Sequence, residues 1–340
     1  MKRILHSFIF LLLTTSVLVA QDPMFSQFYS APLYLNPSLA GAETNLAVSM
    51  NYRTQWNSLQ TPYQTGQVSF IYPLINNATT PKHIGGLGGS VFSEVAGQYN
   101  NFKTTGIIMG GAYNLHFDKW QNSFIAMGLQ GGFIQKKVDN GDLTWGSQFD
   151  PFFGFNSSIQ PSINNINSIV SYPVVNAGLT FFHNSQKLNH GLSSFFGLAV
   201  SNLNKPNESL VQNERSQLPL LWKGHAGFDF PISERLYLAP QLLWMRQNNI
   251  NQINAGTYLS YSVTVDEQPF IATLGGWYRV GDSFIGMLGF SKNRLSFGFS
   301  YDLNTSTLRY ATRGQGAYEV SLQYRVSKIK GLKRFSTPLI

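Results

Sequence analysis

The chain has 340 residues, of which 12% are charged and 14% aromatic, and it contains no cysteine. Soluble domains carry about 25% charged residues, so this composition is too poor in charge to clothe an ordinary water-facing globule, and the lack of cysteine excludes a disulfide framework, a thiolate nucleophile and a thiolate metal site. The net charge of +8 is spread thinly, without a compact run of basic and aromatic residues, which argues against nucleic acid as a partner.

Residues 1–20 read as a secretion signal. Lys2 and Arg3 form a basic start, the stretch from Ile4 to Val19 is mostly apolar, and Ala20 is a small residue for cleavage. Beyond it no run of about 18 apolar residues occurs, so no membrane helix is available. A closed barrel is the other spanning solution, because lipid cannot satisfy open backbone groups. Residues 21–43, rich in Pro, Tyr and Asn, come before the first predicted strand and are expected to form a periplasmic plug or docking segment.

Fourteen strands are predicted, at 44–54, 63–73, 83–95, 101–115, 121–134, 172–183, 192–202, 218–230, 235–245, 250–262, 269–279, 282–291, 294–303 and 316–326. Each supplies the roughly 9–11 residues that a tilted membrane strand needs. The last two are the clearest. Leu295, Phe297, Phe299 and Tyr301 alternate with Ser296, Gly298, Ser300 and Asp302; Tyr318, Val320, Leu322, Tyr324 and Val326 alternate with Glu319, Ser321, Gln323 and Arg325. A period of two puts the apolar set on one face, toward lipid, and the polar set on the other, toward a lumen. In the fifth strand Ile125, Met127, Leu129 and Phe133 point out with Gly131, while Ala126, Gly128, Gln130 and Gly132 point in and leave room for a plug. The fold class is therefore an all-β transmembrane antiparallel barrel of about 14 strands over residues 44–326, followed by a basic tail at 327–340.

Loop lengths agree with this count. An even strand number puts both termini in the periplasm, with short turns there and longer loops outside. The turns at 231–233 and 292–293 fall on the periplasmic side and are short; the long connections 135–171, 203–217 and 304–315 fall outside. The 74–82 turn is longer than that side should have. Trp56, Tyr63, Tyr72, Tyr113, Trp120, Tyr172, Trp222, Trp244, Trp277 and Tyr278 are expected at the membrane interfaces, where amphipathic rings prefer to sit.

Chemistry is thinly represented. His83, His116, His183, His190 and His225 form no close pair at ligand spacing, although His183 and His190 flank one turn. No Gly-x-Ser-x-Gly elbow precedes a helix. Glu94, Asp139, Asp142, Asp150, Asp302 and Glu319 are scattered; Glu319 and Arg325 are expected to form an inward charge ladder. Gly85, Gly86, Gly88 and Gly89 lack the helix that a phosphate loop must open, and suit a curved strand. No catalytic residue, metal or cofactor is expected.

The particular residues go further. The run Gln21-Asp22-Pro23-Met24-Phe25-Ser26-Gln27-Phe28-Tyr29, then Pro32-Leu33-Tyr34-Leu35-Asn36-Pro37 and Ala40-Gly41, resembles the opening of the PorP/SprF family. Similar matches are Tyr52-Arg53 with Gln55-Trp56, Val91-Phe92-Ser93-Glu94, Leu143-Thr144-Trp145-Gly146 with Gln148-Phe149-Asp150, and Leu203-Asn204 with Pro206-Asn207. The end is similar too, in Ser300-Tyr301-Asp302-Leu303-Asn304 and Tyr318-Glu319-Val320-Ser321-Leu322. Ser147, Glu94 and Asn202 depart from the family's commoner residues at their positions. The resemblance implies an outer-membrane component of the type IX secretion system of Bacteroidetes. It implies export or surface attachment of an adhesin-like partner with a type B C-terminal sorting domain, links to periplasmic machine subunits and in some members gliding motility.

The residues expected to meet a partner are Asp22, Pro23, Phe25, Phe28, Tyr29, Tyr34, Asn36 and Pro37 in the leading segment, whose aromatic and proline side chains pack without a helix. Lys328, Lys330, Lys333 and Arg334 in the tail would suit an acidic partner or an anionic surface. The rival expectation is a passive porin for small solutes, since 14 strands enclose a wide lumen.

Overall fold

The computed structural model describes residues 24–59, 61–76, 82–97, 100–117, 122–139, 144–159, 167–184, 192–264 and 269–326. The secretion signal, Trp120, His190 and the basic tail lie outside the described residues.

The strands are β1 (Leu46–Gln55), β2 (Tyr63–Asn76), β3 (Lys82–Ala96), β4 (Phe102–His116), β5 (Ser123–Val138), the two short strands β6 (Phe149–Asp150) and β7 (Gly154–Phe155), then β8 (Ile169–Asn184), β9 (Ser193–Ser201) and β10 (Leu221–Pro231). They continue with β11 (Leu236–Gln247), β12 (Ile250–Ser262), β13 (Ile271–Arg279), β14 (Ser283–Lys292), β15 (Leu295–Asn304) and β16 (Gln315–Val326). All but β6 and β7 join in one closed antiparallel barrel of 14 strands, in which β5 pairs with β8 and β1 closes on β16. Closure leaves no sheet edge to lipid, which is what a spanning sheet requires. Among the described residues no helix is long and apolar enough to cross a membrane.

Alternation sets the two faces. On β15, Leu295, Phe297, Phe299, Tyr301 and Leu303 are exposed on the outer surface, while Ser296, Ser300 and Asp302 are buried inside. On β5, Met127, Leu129 and Phe133 are exposed and Ala126 and Gln130 buried. Two aromatic residues depart from the expected interfacial girdle. Trp277 and Tyr172 are buried, because each falls on the inward parity of its strand; Trp277 shares that face with Arg279. Tyr72, Tyr113, Trp222 and Tyr278 do lie on the outer surface.

Strand bounds shift most in β5 and β8, which continue to the pairs Lys136↔Val170 and Lys137↔Ile169. The polar Lys136–Lys137 pair breaks the apolar rhythm without breaking the ladder. β10 starts at Leu221, after Pro219, which has no N–H for a ladder. The long 74–82 connection is partly strand, since β2 and β3 pair as far as Asn76↔Lys82.

β8 meets β9 only from Ala177↔Val200 onward, so residues 169–176 rise past the end of β9. The 202–220 connection leans on that raised edge: Leu203 N–H donates to the Val175 carbonyl at 2.9 Å, Asn204 Nδ2 donates to the Pro173 carbonyl at 2.8 Å, and Lys136 pairs with Glu208. The end of the barrel with these long connections is the upper end here. Leu46 and Val326 pair at the lower end.

The interior is filled. Residues 25–33 and 35–44 are buried, and the chain before β1 runs down the lumen instead of lying below it. It folds into three short turns, at Phe28–Ser30, Pro32–Leu35 and Pro37–Gly41. Proline begins two of them, where its fixed φ and missing N–H do no harm. The apolar core lies between this segment and the wall, with Phe28, Tyr29, Leu35 and Leu39 against Phe182, Phe195, Leu243 and Trp277.

Candidate functional site

The candidate site is the contact surface between the leading segment and the lumen wall. Its upper part is a buried charge cluster. Arg53 on β1 sends Nη2 to Asp302 Oδ2 at 2.9 Å and lies 3.5 Å from Glu319 through Nη1; it also donates to Ser26 Oγ at 2.5 Å. Arg279 on β13 reaches Asp302 at 3.2 Å and Asp282 at 3.1 Å. Ser26 Oγ donates to Asp302 at 2.8 Å, and the Ser26 N–H donates to Glu319 Oε2 at 2.7 Å. Gln27 donates through Nε2 to the Glu319 carbonyl at 2.9 Å and accepts from Ser321 at 2.6 Å. A segment without a strand partner must satisfy its N–H groups elsewhere; the Glu319 carboxylate takes those of Ser26 and Gln27, and the segment's own turns take several others.

The middle part is aromatic and amide. Phe28 packs edge-on to Trp277 with ring centroids 5.1 Å apart, and Tyr29 packs on Phe195 at 5.6 Å. Lys223 lies over the Tyr34 ring at 4.3 Å and donates to its carbonyl. Asn36 donates to Thr180 Oγ1 at 3.1 Å, sits 3.1 Å from His225 Nε2, and accepts from the Ser38 N–H at 3.0 Å. At the bottom, Asn114 donates to the Gly41 carbonyl at 2.7 Å, and Arg325 pairs with Glu43 at 3.1 Å.

Inward glycines let the segment approach. A Cβ on Gly128 would stand 2.3 Å from Ser38 N, one on Gly86 2.0 Å from the Ala40 carbonyl oxygen, and one on Gly178 1.9 Å from Asn36 Oδ1. Gly86 and Gly88 in the glycine-rich β3 therefore face the segment, and the Gly88 position abuts Leu33. The direction of the segment follows from these contacts. Ser26 is held near the upper ends of β1, β13 and β15, and Glu43 at the lower end, so Met24 lies at the opposite end from Val326.

Of the residues expected to meet a partner, Phe25, Phe28, Tyr29, Asn36 and Pro37 are buried against the chain's own wall and Tyr34 is partly buried. Asp22, Pro23, Lys328, Lys330, Lys333 and Arg334 lie outside the described residues. Sequence reasoning placed Asp302, Glu319 and Arg325 on the inner face but missed Arg53 and Arg279 as their partners. Chain closure was the available signal, because β1 and β16 pair with Arg53 opposite Glu319. His116 Nε2 meets the His83 carbonyl at 2.6 Å, a proximity that spacing along the chain does not show. Among the described residues no group of three His, Asp or Glu side chains is placed to hold a metal.

A family profile, type IX secretion system membrane protein PorP/SprF, matches residues 17–324. The chain belongs to the PorP/SprF family. It is thus a type IX secretion component and an outer-membrane β-barrel. The PorP/SprF-like motifs read from the sequence carry much of the luminal contact: Ser26-Gln27 and Asn36-Pro37 in the segment, Arg53, Asp302 and Glu319 in the wall. No curated protein matches this PorP/SprF chain. Solved structures with a similar trace include the Ralstonia pickettii toluene transporter TbuX, at 10% identity and TM-score 0.47, covering 87% of this chain and 93% of that one. A Pseudomonas aeruginosa FadL homologue is similar at 12% identity and TM-score 0.40, covering 85% and 92%. The translocator domain of the autotransporter NalP from Neisseria meningitidis is similar at 12% and 0.40, covering 88% and 96%. Such distant likenesses add nothing to the barrel geometry above.

Proposed function

We propose that this barrel works as a closed, non-enzymatic holder within the type IX system. It supports export or surface attachment of an adhesin-like partner with a type B C-terminal sorting domain by binding proteins, while periplasmic machine subunits meet its lower end. The upper end, with the longest connections, faces outward, and the barrel end at Val326 faces the periplasm.

The observation that carries this reading is the filled lumen. Three gaps between segment and wall measure only about 10–30 Å³, about the space for one water. A passive pore needs a continuous aqueous path, and a lumen packed by Phe28, Tyr29 and Leu39 and fastened by buried ion pairs does not favour one. Two measurements test the reading together. The purified barrel in planar bilayers is expected to be electrically silent, and deletion of its gene is expected to remove a small set of proteins from the cell surface and medium. Steady open-pore conductance with an unchanged set of exported proteins would favour the porin instead.

A further inference from the structure

The lumen does not use the most exposed large apolar side chains among the described residues. In the connection between β5 and β8, the β6–β7 hairpin carries Phe149, Phe152, Phe153 and Phe155, with Phe152 91% and Phe153 89% exposed. Large apolar side chains clustered in water mark a contact surface more often than chance packing does.

The hairpin is built to hold those rings out. Asp150 Oδ1 accepts the N–H of Phe152 at 2.7 Å and of Phe153 at 3.0 Å, which fastens the tip as a turn. Gly154 follows at φ 78°, where a side chain would strain the backbone. Below, buried Gln148 ties the foot: its Nε2 donates to the Ile159 carbonyl at 3.0 Å, its Oε1 accepts the Trp145 N–H at 3.1 Å, and its own carbonyl accepts the Asn156 N–H at 2.8 Å. A pair of phenyl rings on a fixed turn loses little freedom on binding, which is the economy of an anchor.

Position decides between lipid and protein. β8 has 16 residues, and at about 3.3 Å per residue and about 45° of tilt such a strand rises roughly 37 Å, against an apolar band about 25 Å tall. The excess is at the upper end, where residues 169–176 stand clear of β9. The hairpin belongs to the connection between the tops of β5 and β8, whose ends rise beyond the lipid. Membrane interfaces also favour Trp and Tyr over Phe, and Asp150 at the tip would face the anionic headgroups of an outer leaflet.

We infer that Phe152 and Phe153 form an anchor that inserts into an apolar cleft of a protein partner outside the membrane, a cleft with room for two phenyl rings and no carboxylate opposite Asp150. The inference rests on the binding role proposed above and names the surface that performs it.

The test uses the full-length protein in cells that carry the secretion system and lack the chromosomal copy. A photoreactive benzoyl-phenylalanine at position 153 is expected to give an adduct with one protein, mapped to an apolar cleft, while the same probe at Phe117, exposed at the lower end, does not give that adduct. The double variant Phe152→Ser/Phe153→Ser is expected to reach the outer membrane with the wild-type heat-dependent gel shift yet to restore on the order of tenfold less exported partner, and Phe152→Leu/Phe153→Leu to restore more. Full restoration by the serine variant would overturn the anchor, as would adducts with lipopolysaccharide alone. If deleting the gene changes no exported protein, the secretion role fails instead, and the position-153 adduct still decides whether the hairpin grips a protein.

Discussion

Arg53 shows how a single side chain can govern the lumen. Its guanidinium lies between Asp302 and Glu319, which are 1% and 0% exposed, and it also holds Ser26. Removing one partner of a buried ion pair leaves the other charge uncompensated, at a cost of about 3–5 kcal/mol. Arg53→Ala is expected to lower barrel stability by about that amount in a urea titration followed by gel mobility, and Arg53→Lys by less, because one ammonium cannot span both carboxylates. An inward and an outward glycine give a sharper contrast. Gly128→Ala sets a methyl against the Ser38 backbone and is expected to cost about 1–3 kcal/mol. Gly286→Ala meets nothing within 4 Å and should stay within about 0.5 kcal/mol of wild type in the same titration. The parity of Asp302, Glu319 and Gly128 was legible in the sequence. Their partners were not, because Arg53 and Asp302 are separated by 249 positions and meet only once the sheet closes.

The segment ahead of β1 and the raised β5–β8 edge are the elements that depart from a plain barrel. The segment's aromatic and proline content pointed to packing without a helix, but nothing in its composition fixed its direction, which depends on where Ser26 and Glu43 find partners. The wall ladders close around it, with bulges in β2–β3 and β15–β16 and a gap in β10–β11 opposite Pro240. Deleting residues 24–41 is therefore expected to leave a barrel that still shows a heat-dependent gel shift, with a lower unfolding midpoint, and to turn an electrically silent protein into a conducting one in planar bilayers. Loss of the gel shift would mean that the segment is needed for the wall itself. The height of β5 and β8 was underestimated because Lys136 and Lys137 interrupt the apolar rhythm, and membrane strands are recognised by that rhythm only within the lipid.

At the scale of the whole molecule, strand number and lipid-facing set were the most legible features, since a closed sheet in lipid imposes period two on every strand. The position of aromatic residues was less so: ring content alone cannot tell Trp277 in the lumen from Trp222 on the surface. A chain ending before Gln315 would leave β1 and β15 without their shared neighbour β16. Such a chain is expected to show no heat-dependent shift and to be degraded by added protease, whereas ending it after Val326 should retain the shift.

The hydrogen bonds from Ser26 and Gln27 to Asp302, Glu319 and Ser321 tie nearly the first described residues to the last two strands. The closing seam is therefore braced from within, because Ser26 accepts from Arg53 on β1 and donates its N–H to Glu319 on β16. A one-residue slip of that seam would turn Arg53 or Glu319 away from the peptide, so the leading peptide and the register in which Arg53 faces Glu319 support each other.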